Sequence, residues 1–156
     1  MLTMTGICYI VGGIQYWSTN YLITVLKIDK TIATTLFAIT TVSAPISGVL
    51  IGGMATSYCG GYKTQKAHLV SLSAGWICMF CSLPIPLVNT MESFFLFLWL
   101  LLFFGGFIIP VVIGWMLVSV PNKLRGTASS IAQFCYNGLG YLPAPFIFGM
   151  ISNFVE

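Results

Sequence analysis

The sequence predicts an all-α integral membrane protein with five transmembrane helices. Charged residues are few and segregated: the 156 residues contain six Lys and Arg and three Asp and Glu, most of them between long apolar stretches. Hydrophobic residues make up 58% of the chain, and mean hydropathy is +0.97. A water-soluble fold of this composition would lack the polar side chains needed to cover its surface.

Five apolar stretches are each long enough to cross a bilayer, which takes about 20 residues of α-helix. None shows the alternation of a barrel strand, so helices are the remaining way to satisfy the backbone in lipid. The first stretch has no basic residue at its start and no small-residue cleavage site, which argues against a cleaved signal peptide. The predicted spans are 5–26, 32–57, 68–88, 92–119 and 126–152, in a single bundle over residues 1–156.

The first span has polar residues at helical spacing, so they gather on one stripe that lipid would not accept. Two interpretations stand side by side. The stripe either forms hydrogen bonds to other helices or lines a water-filled cavity. Its members are three and four residues apart: Gly12, Gln15, Tyr16, Thr19, Asn20 and Ile23.

The second span carries small residues along one side, with Gly48 and Gly52 in a G-x-x-x-G relation. Small side chains let two helix backbones approach closely, so packing is the favoured interpretation. Pro45 predicts a kink because its ring removes one intrahelical hydrogen bond. Pro84 and Pro86 are expected to break the third span near the outer surface.

The last two spans contain residues that favour deformation. Gly105, Gly106 and Pro110 fall near the middle of the fourth span and predict a bend there. In the fifth span, polar residues at near-helical spacing precede Pro143 and Pro145, which predicts an inward polar face on a deformable helix. We call this face the fifth-span stripe: Ser130, Gln133, Asn137 and Tyr141.

Basic residues indicate the orientation. Lys63, Lys66, Lys123 and Arg125 occupy the second and fourth connections, which lie on one side of a five-span bundle. The positive-inside rule makes that side cytoplasmic. The net charge of +3 is too small and too scattered to indicate a nucleic-acid partner.

The chemistry-bearing residues indicate neither an enzyme nor a metal protein. The five cysteines are an odd number and lie mostly in apolar spans, so no disulfide framework is predicted. Cys78 and Cys81 share one helix face, a spacing compatible with a metal, but without a nearby His or acid we interpret them as apolar core thiols. No cofactor is expected. No clustered His, Asp or Glu and no activated nucleophile pair is visible.

The connection after the fourth span carries the first family resemblance. Pro121 stops a helix, Arg125 anchors the turn, and Gly126-Thr127 begins the next helix with a hydroxyl available for capping. This pattern resembles the P-x-x-x-R-G-T-A cytoplasmic turn of major facilitator superfamily transporters. The alternative interpretation is a generic basic membrane turn.

The connection after the second span resembles the G-G-x-x-x-D-R-x-G-R-R motif of the same superfamily. It matches at Gly52, Gly53, Gly60 and Lys63, whereas Ser57 stands where the family has an acid. The resemblance implies a cytoplasmic gate formed by these residues with Arg125 and Gly126. Loss of the acid removes from this position the charge on which the family's ionic latch depends.

Both connections follow the second and fourth spans, as they do in the C-terminal half of such transporters. The segment beginning at Gln15 also resembles the start of that half, with a weaker likeness to spinster-type members. The resemblance extends from about Met4 to Phe154 and covers five of six helices. It implies movement of a small solute by alternating access, which one incomplete half cannot perform alone. We therefore expect either a fragment of a longer product or a half that associates with another membrane chain.

The residues expected to line the solute path are the inward polar groups of the first and fifth spans. No acid lies deep in any span, so no carboxylate for proton coupling is predicted. An accessory or structural membrane subunit derived from a transporter half is the competing hypothesis. The path candidates are Gln15, Tyr16, Asn20, Gln133 and Asn137.

Overall fold

The computed structural model describes the backbone of residues 2–24, 29–62, 64–88 and 90–155, with side chains except those at 19, 20, 24, 86 and 152–155. Within these ranges the chain is helical and no strand occurs. The helices are α1 (Leu2–Thr24), α2 (Lys30–Tyr58), α3 (Gln65–Ser82), α4 (Met91–Val118), α5 (Arg125–Cys135) and α6 (Pro143–Val155), with 3-10 turns at Ile85–Leu87 and Asn122–Leu124 and a π-helix at Tyr136–Tyr141.

The all-helical prediction is confirmed, and helix covers most of each predicted span. In the described part of the chain, α2 and α4 are long and apolar enough to cross a membrane by length and composition alone. The other helices are shorter or more polar: α1 carries its polar stripe, α3 opens on Gln65 and Lys66, and the last span is divided by the π-helix. Five crossings therefore remain a prediction.

The chain packs as two compact units. The central unit is Leu22–Val118, and the terminal unit joins Met1–Tyr21 to Ser119–Glu156. The central unit contains α2, α3 and α4, whereas the terminal unit contains α5, α6 and α1 as far as Tyr21.

In the central unit, α2 and α4 run parallel and in very close contact. Trp99 Nε1 donates to Ser43 Oγ at 3.2 Å, and further along both helices a Cβ added at Gly52 would meet the carbonyl oxygen of Phe107. Small residues make this approach possible, as the G-x-x-x-G spacing predicted. The buried positions recur every four residues along α2: Thr40, Ala44, Gly48, Gly52 and Thr56.

Gly106 of α4 completes this interface from the opposite side. A Cβ there would lie 2.8 Å from the carbonyl oxygen of Pro45. We predicted a bend at Gly105, Gly106 and Pro110, and α4 is continuous from Met91 to Val118 with Pro110 inside it, so the segment stays helical. Close packing gives Gly106 a role that the sequence did not predict.

Helix α3 packs antiparallel against α4. The His68 ring stacks on Trp115 at 4.4 Å, and the Cys78 thiol donates to the Leu101 carbonyl oxygen at 3.5 Å. These pairings run in opposite directions along the two helices. The expected proline break is confirmed, because α3 ends at Ser82 and a turn follows in which Leu87 N donates to Pro84 O at 3.0 Å.

Glycine ends α2 in a Schellman motif. Gly60 N donates to Ser57 O at 3.2 Å and Gly61 N to Thr56 O at 3.0 Å, which satisfies two carbonyls that the last helical turn leaves free. Gly60 has φ +93°, a left-handed conformation that L-residues with a Cβ rarely adopt. Helix capping therefore accounts for this glycine.

We expect Gly60→Ala to destabilise the chain by about 1–2 kcal/mol, because the alanine Cβ is sterically unfavourable in the left-handed conformation. The measurement is thermal unfolding of the purified chain in detergent. Gly126→Ala is the control, since an added Cβ there meets nothing within 4 Å. Equal effects of the two substitutions would show that the capping geometry contributes no stability.

In the terminal unit, α1 packs against the continuous run of α5, the π-helix and α6. An added Cβ at Gly12 would lie 3.2 Å from Ala144 Cβ, and one at Gly140 would lie 2.6 Å from the Thr5 carbonyl oxygen. These pairings show that α1 and the α5–α6 run are parallel. The buried positions of the run again recur every four residues: Ala132, Tyr136, Gly140 and Ala144.

Candidate functional site

The π-helix between α5 and α6 is the most unusual backbone feature of the terminal unit. Leu142 N donates to Asn137 O at 2.9 Å, an i to i+5 hydrogen bond that replaces the ordinary i+4 partner. Pro143 follows at once, and its missing N–H removes one donor from the preceding turn. The predicted deformation of the fifth span therefore takes the form of a π-helix, a feature often found at functional sites.

The fifth-span stripe is exposed along its whole length. Gln133 and Asn137 are adjacent, because Asn137 Nδ2 donates to the Gln133 carbonyl oxygen at 2.9 Å. Ser130 Oγ donates to the Gly126 carbonyl oxygen at 3.1 Å, so that hydroxyl already has a partner in its own helix. Tyr141 is 37% exposed. Two of the predicted path residues, Gln133 and Asn137, thus form one polar surface beside the π-helix.

The path residues of the first span lie elsewhere. Gln15 and Tyr16 are exposed, Tyr16 packs edge-on against Trp17 at 6.0 Å, and the Asn20 side chain lies outside the described residues. Because Gly12 is level with Ala144, a rise of 1.5 Å per residue places Gln15 about 15 Å along the axis from Asn137. The structure therefore does not bring the two predicted groups to one height.

Apolar packing explains this offset. The contact between α1 and the α5–α6 run consists of small and aromatic groups: Gly13 meets the Phe148 ring, and Tyr9 stacks on the same ring at 5.6 Å. These contacts fix the register of the two helices. The positions of the polar residues along the helix axis follow from that register. Within the terminal unit, the described path residues of the first and fifth spans therefore lie at different heights, and a shared path for them stays a prediction.

The gate candidates on α2 have separate local explanations. Gly52 lies in the α2–α4 interface and Gly60 ends the helix, whereas an added Cβ at Gly53 meets nothing within 4 Å. Lys63 lies outside the described residues. Helix packing and helix capping thus explain why glycine occupies two of the positions that match the family motif.

The connection after α4 is held by its own backbone and by Arg125. Arg125 Nε donates to the Val120 carbonyl oxygen at 3.4 Å, and Leu124 N donates to Pro121 O at 2.9 Å. We expected Gly126-Thr127 to begin the next helix with a capping hydroxyl, but α5 begins at Arg125 and Leu124 caps it without a side-chain hydrogen bond. The capping prediction is wrong, because the 3-10 turn brings the chain into helix one residue earlier, at Arg125.

Two features were not found from the sequence. An open groove of about 610 Å³ runs along the outer face of α2 and is lined by Val49, Leu50, Gly53, Met54, Ser57, Tyr58 and Pro110. In the terminal unit, the Trp17 Nε1 donor is buried and has no hydrogen-bond partner within the described part of the chain. Both depend on which faces the packing covers, and a periodic pattern alone does not give that information.

The chemistry available at the fifth-span stripe is hydrogen bonding by amides, hydroxyls and backbone carbonyls. Among the described residues, no three His, Cys, Asp or Glu side chains come together in a way that would hold a metal ion.

Searches for related proteins found no matching family model, no matching curated protein and no matching solved structure.

Proposed function

We propose that this chain is a multi-pass membrane protein and forms part of a transporter that moves a small solute by alternating access. The observation that carries the proposal is the exposed polar surface of Gln133 and Asn137 beside the π-helix. Exposed amides in a segment that crosses the bilayer require a polar partner, and a solute path provides one. Discontinuous helices at mid-membrane are a common feature of transporter binding sites.

Exposed apolar side chains support the membrane part of this proposal. On α3, Leu69 is 65%, Trp76 59% and Phe80 62% exposed, and Ile46 of α2 is 57% exposed. Water-soluble monomers rarely expose contiguous apolar surfaces of this kind. Lipid is the solvent that accepts them, so we propose that all five apolar stretches cross the bilayer.

The depth of the amides agrees with a binding site. At 1.5 Å per residue from Arg125, Gln133 lies about 12 Å and Asn137 about 18 Å along the helix. The hydrocarbon core is about 30 Å thick, so a crossing helix that enters the bilayer near Arg125 holds Asn137 close to the midplane. Alternating access then requires a second bundle that rocks against this one about the site.

The resemblance to the C-terminal half of major facilitator superfamily transporters supports the same function. The parallel arrangement of α2 and α4 places the end of α2 and the end of α4 on one side of the central unit. The connections that carry the two family-like motifs follow those ends, which agrees with a cytoplasmic side containing both.

A transporter-derived accessory subunit is the second candidate. In that case Gln133 and Asn137 would hydrogen bond to a helix of a partner protein instead of a solute, because lipid-exposed amides also drive helix association. The replacement of the family's acid by Ser57 favours this alternative. The two functions differ in one measurable property, the access of water to the fifth-span stripe.

The test is cysteine labelling in native membranes. In a chain whose five cysteines are replaced by alanine, we expect a water-soluble maleimide to label cysteine introduced by Gln133→Cys or Asn137→Cys. The matched controls are Ile131→Cys and Leu139→Cys, two residues away on nearly opposite faces and 55% and 68% exposed. We expect both controls to be protected, because lipid covers them.

Three other outcomes decide against the transporter proposal. Protection of positions 133 and 137 in every condition would remove the solute path, and stoichiometric co-purification with a larger membrane assembly would then favour the accessory subunit. Labelling of all four positions would show that the whole helix is in water. Labelling of positions 131 and 139 alone would show that the apolar face meets water and that the fifth-span stripe does not.

A further inference from the structure

The π-helix leaves a backbone carbonyl without its helical donors at the centre of the fifth-span stripe. In an α-helix the Gly138 carbonyl would accept from Leu142 N, but that donor bonds to Asn137 O. In a π-helix it would accept from residue 143, which is proline and has no N–H. Gly138 is exposed, and an added Cβ there meets nothing within 4 Å.

Hydrogen-bond acceptors and donors both accompany this carbonyl. One N–H of the Asn137 amide donates to the Gln133 carbonyl oxygen, which leaves Asn137 Oδ1 as an acceptor and the second N–H as a donor. Gln133 contributes a side-chain amide and Tyr141 a phenol, groups that both donate and accept. A ligand that matches this set carries several hydroxyl groups, because each hydroxyl donates one hydrogen bond and accepts others.

Charge decides between neutral and ionic ligands. All nine charged residues of the chain lie at 27–30, 63–66, 92, 123–125 and 156, so the sequence from 126 to 155 carries no charge. Moving an ion into a low-dielectric site without a counter-charge has a large desolvation cost, whereas for a neutral hydroxyl the cost is limited to unmatched hydrogen bonds. Amides and carbonyls on a segment without a charged residue of its own therefore favour a neutral ligand.

We infer that Gly138 O, Asn137 and Gln133 form a binding site for an uncharged, polyhydroxylated solute. This inference rests on the proposed transport function and names the class of solute for the same surface. The free carbonyl is provided by Pro143, so the proline acts as a positioning residue and the two amides contact the solute.

The test is equilibrium binding of radiolabelled sorbitol to the full chain in nanodiscs. We expect saturable binding that unlabelled mannitol displaces. Gluconate and N-methylglucamine, polyol analogues built on a six-carbon chain with a negative and a positive charge, should displace it at least tenfold less well. Competition by either ion equal to that of mannitol would overturn the inference, and so would the absence of saturable binding.

Variants locate the site. Pro143→Ala supplies a backbone N–H at position 143. If the π-helix persists, this N–H donates directly to the Gly138 carbonyl oxygen. If the segment becomes α-helical, Leu142 N leaves Asn137 O and donates to the Gly138 carbonyl oxygen instead. We expect this variant and Asn137→Leu each to weaken sorbitol binding roughly tenfold, the effect of one lost hydrogen bond. Ser47→Ala should bind normally, because Ser47 lies on α2 and its hydroxyl donates to the Ser43 carbonyl oxygen of the same helix at 2.8 Å.

Failure of this inference can be told apart from failure of the transport proposal. If sorbitol binding is unchanged in both Pro143→Ala and Asn137→Leu, the site proposed here is wrong even when maleimide still labels positions 133 and 137. If maleimide fails to label those positions, the transport proposal fails whatever sorbitol does. Circular dichroism and size-exclusion profiles of each variant check that weaker binding is not caused by unfolding.

Discussion

Replacing Gly48 with leucine is expected to destabilise the central unit by at least about 3 kcal/mol, the upper part of the range for overpacking a buried site. An added Cβ at Gly48 would meet the Phe103 carbonyl oxygen and, at 3.0 Å, the Phe107 nitrogen. Both obstacles are backbone atoms, so no rotamer change relieves them. The helices must separate, and the contacts along the α2–α4 interface are lost with them.

The control for this prediction lies five residues further along the same helix. An added Cβ at Gly53 meets nothing within 4 Å, and leucine has a higher helix propensity than glycine, so Gly53→Leu should be neutral or stabilising by up to about 1 kcal/mol. Thermal unfolding of both variants in detergent measures the difference. Similar melting temperatures for the two variants would show that α2 and α4 do not pack through Gly48.

The sequence predicted the role of the small residues on α2 but not their partner. The spacing of Gly48 and Gly52 indicates a close helix contact because small residues remove the steric barrier to approach. It does not say which helix approaches. Gly106 shows the limit clearly: from the sequence it predicted a bend, and the fold shows that it also packs on Pro45. A glycine favours deformation and close packing equally, and only the tertiary arrangement decides between them.

The candidate site was predictable in its residues but not in its geometry. Helical spacing brings Gln133 and Asn137 onto one face because the side chains belong to a single helix. The relation of Gln15 to Asn137 depends on how α1 slides along the α5–α6 run, and that register is fixed by Gly12, Gly140 and the aromatic contacts between the helices. The prolines indicated a deformation, but a π-helix is one of several ways to accommodate them.

The second large effect is expected at Gly140, where Gly140→Leu should detach α1 from the α5–α6 run. An added Cβ there would lie 2.6 Å from the Thr5 carbonyl oxygen, 2.9 Å from Cys8 Cβ and 3.3 Å from the Tyr9 nitrogen. Because two of these three atoms are backbone, we expect a loss of about 2–3 kcal/mol. The measurement is a double-cysteine crosslink between α1 and α6, introduced by Gly12→Cys and Ala144→Cys in the alanine background.

Gly138 provides the matched control, since it lies in the same π-helix and an added Cβ there meets nothing within 4 Å. Gly138→Leu should keep the crosslink between positions 12 and 144, whereas Gly140→Leu should abolish it. An intact crosslink in both variants would mean that α1 tolerates a side chain at position 140 and that Gly140 does not fix the register. The separation of Gln15 from Asn137 would then lose its physical cause, because the register is what keeps the two polar surfaces at different heights.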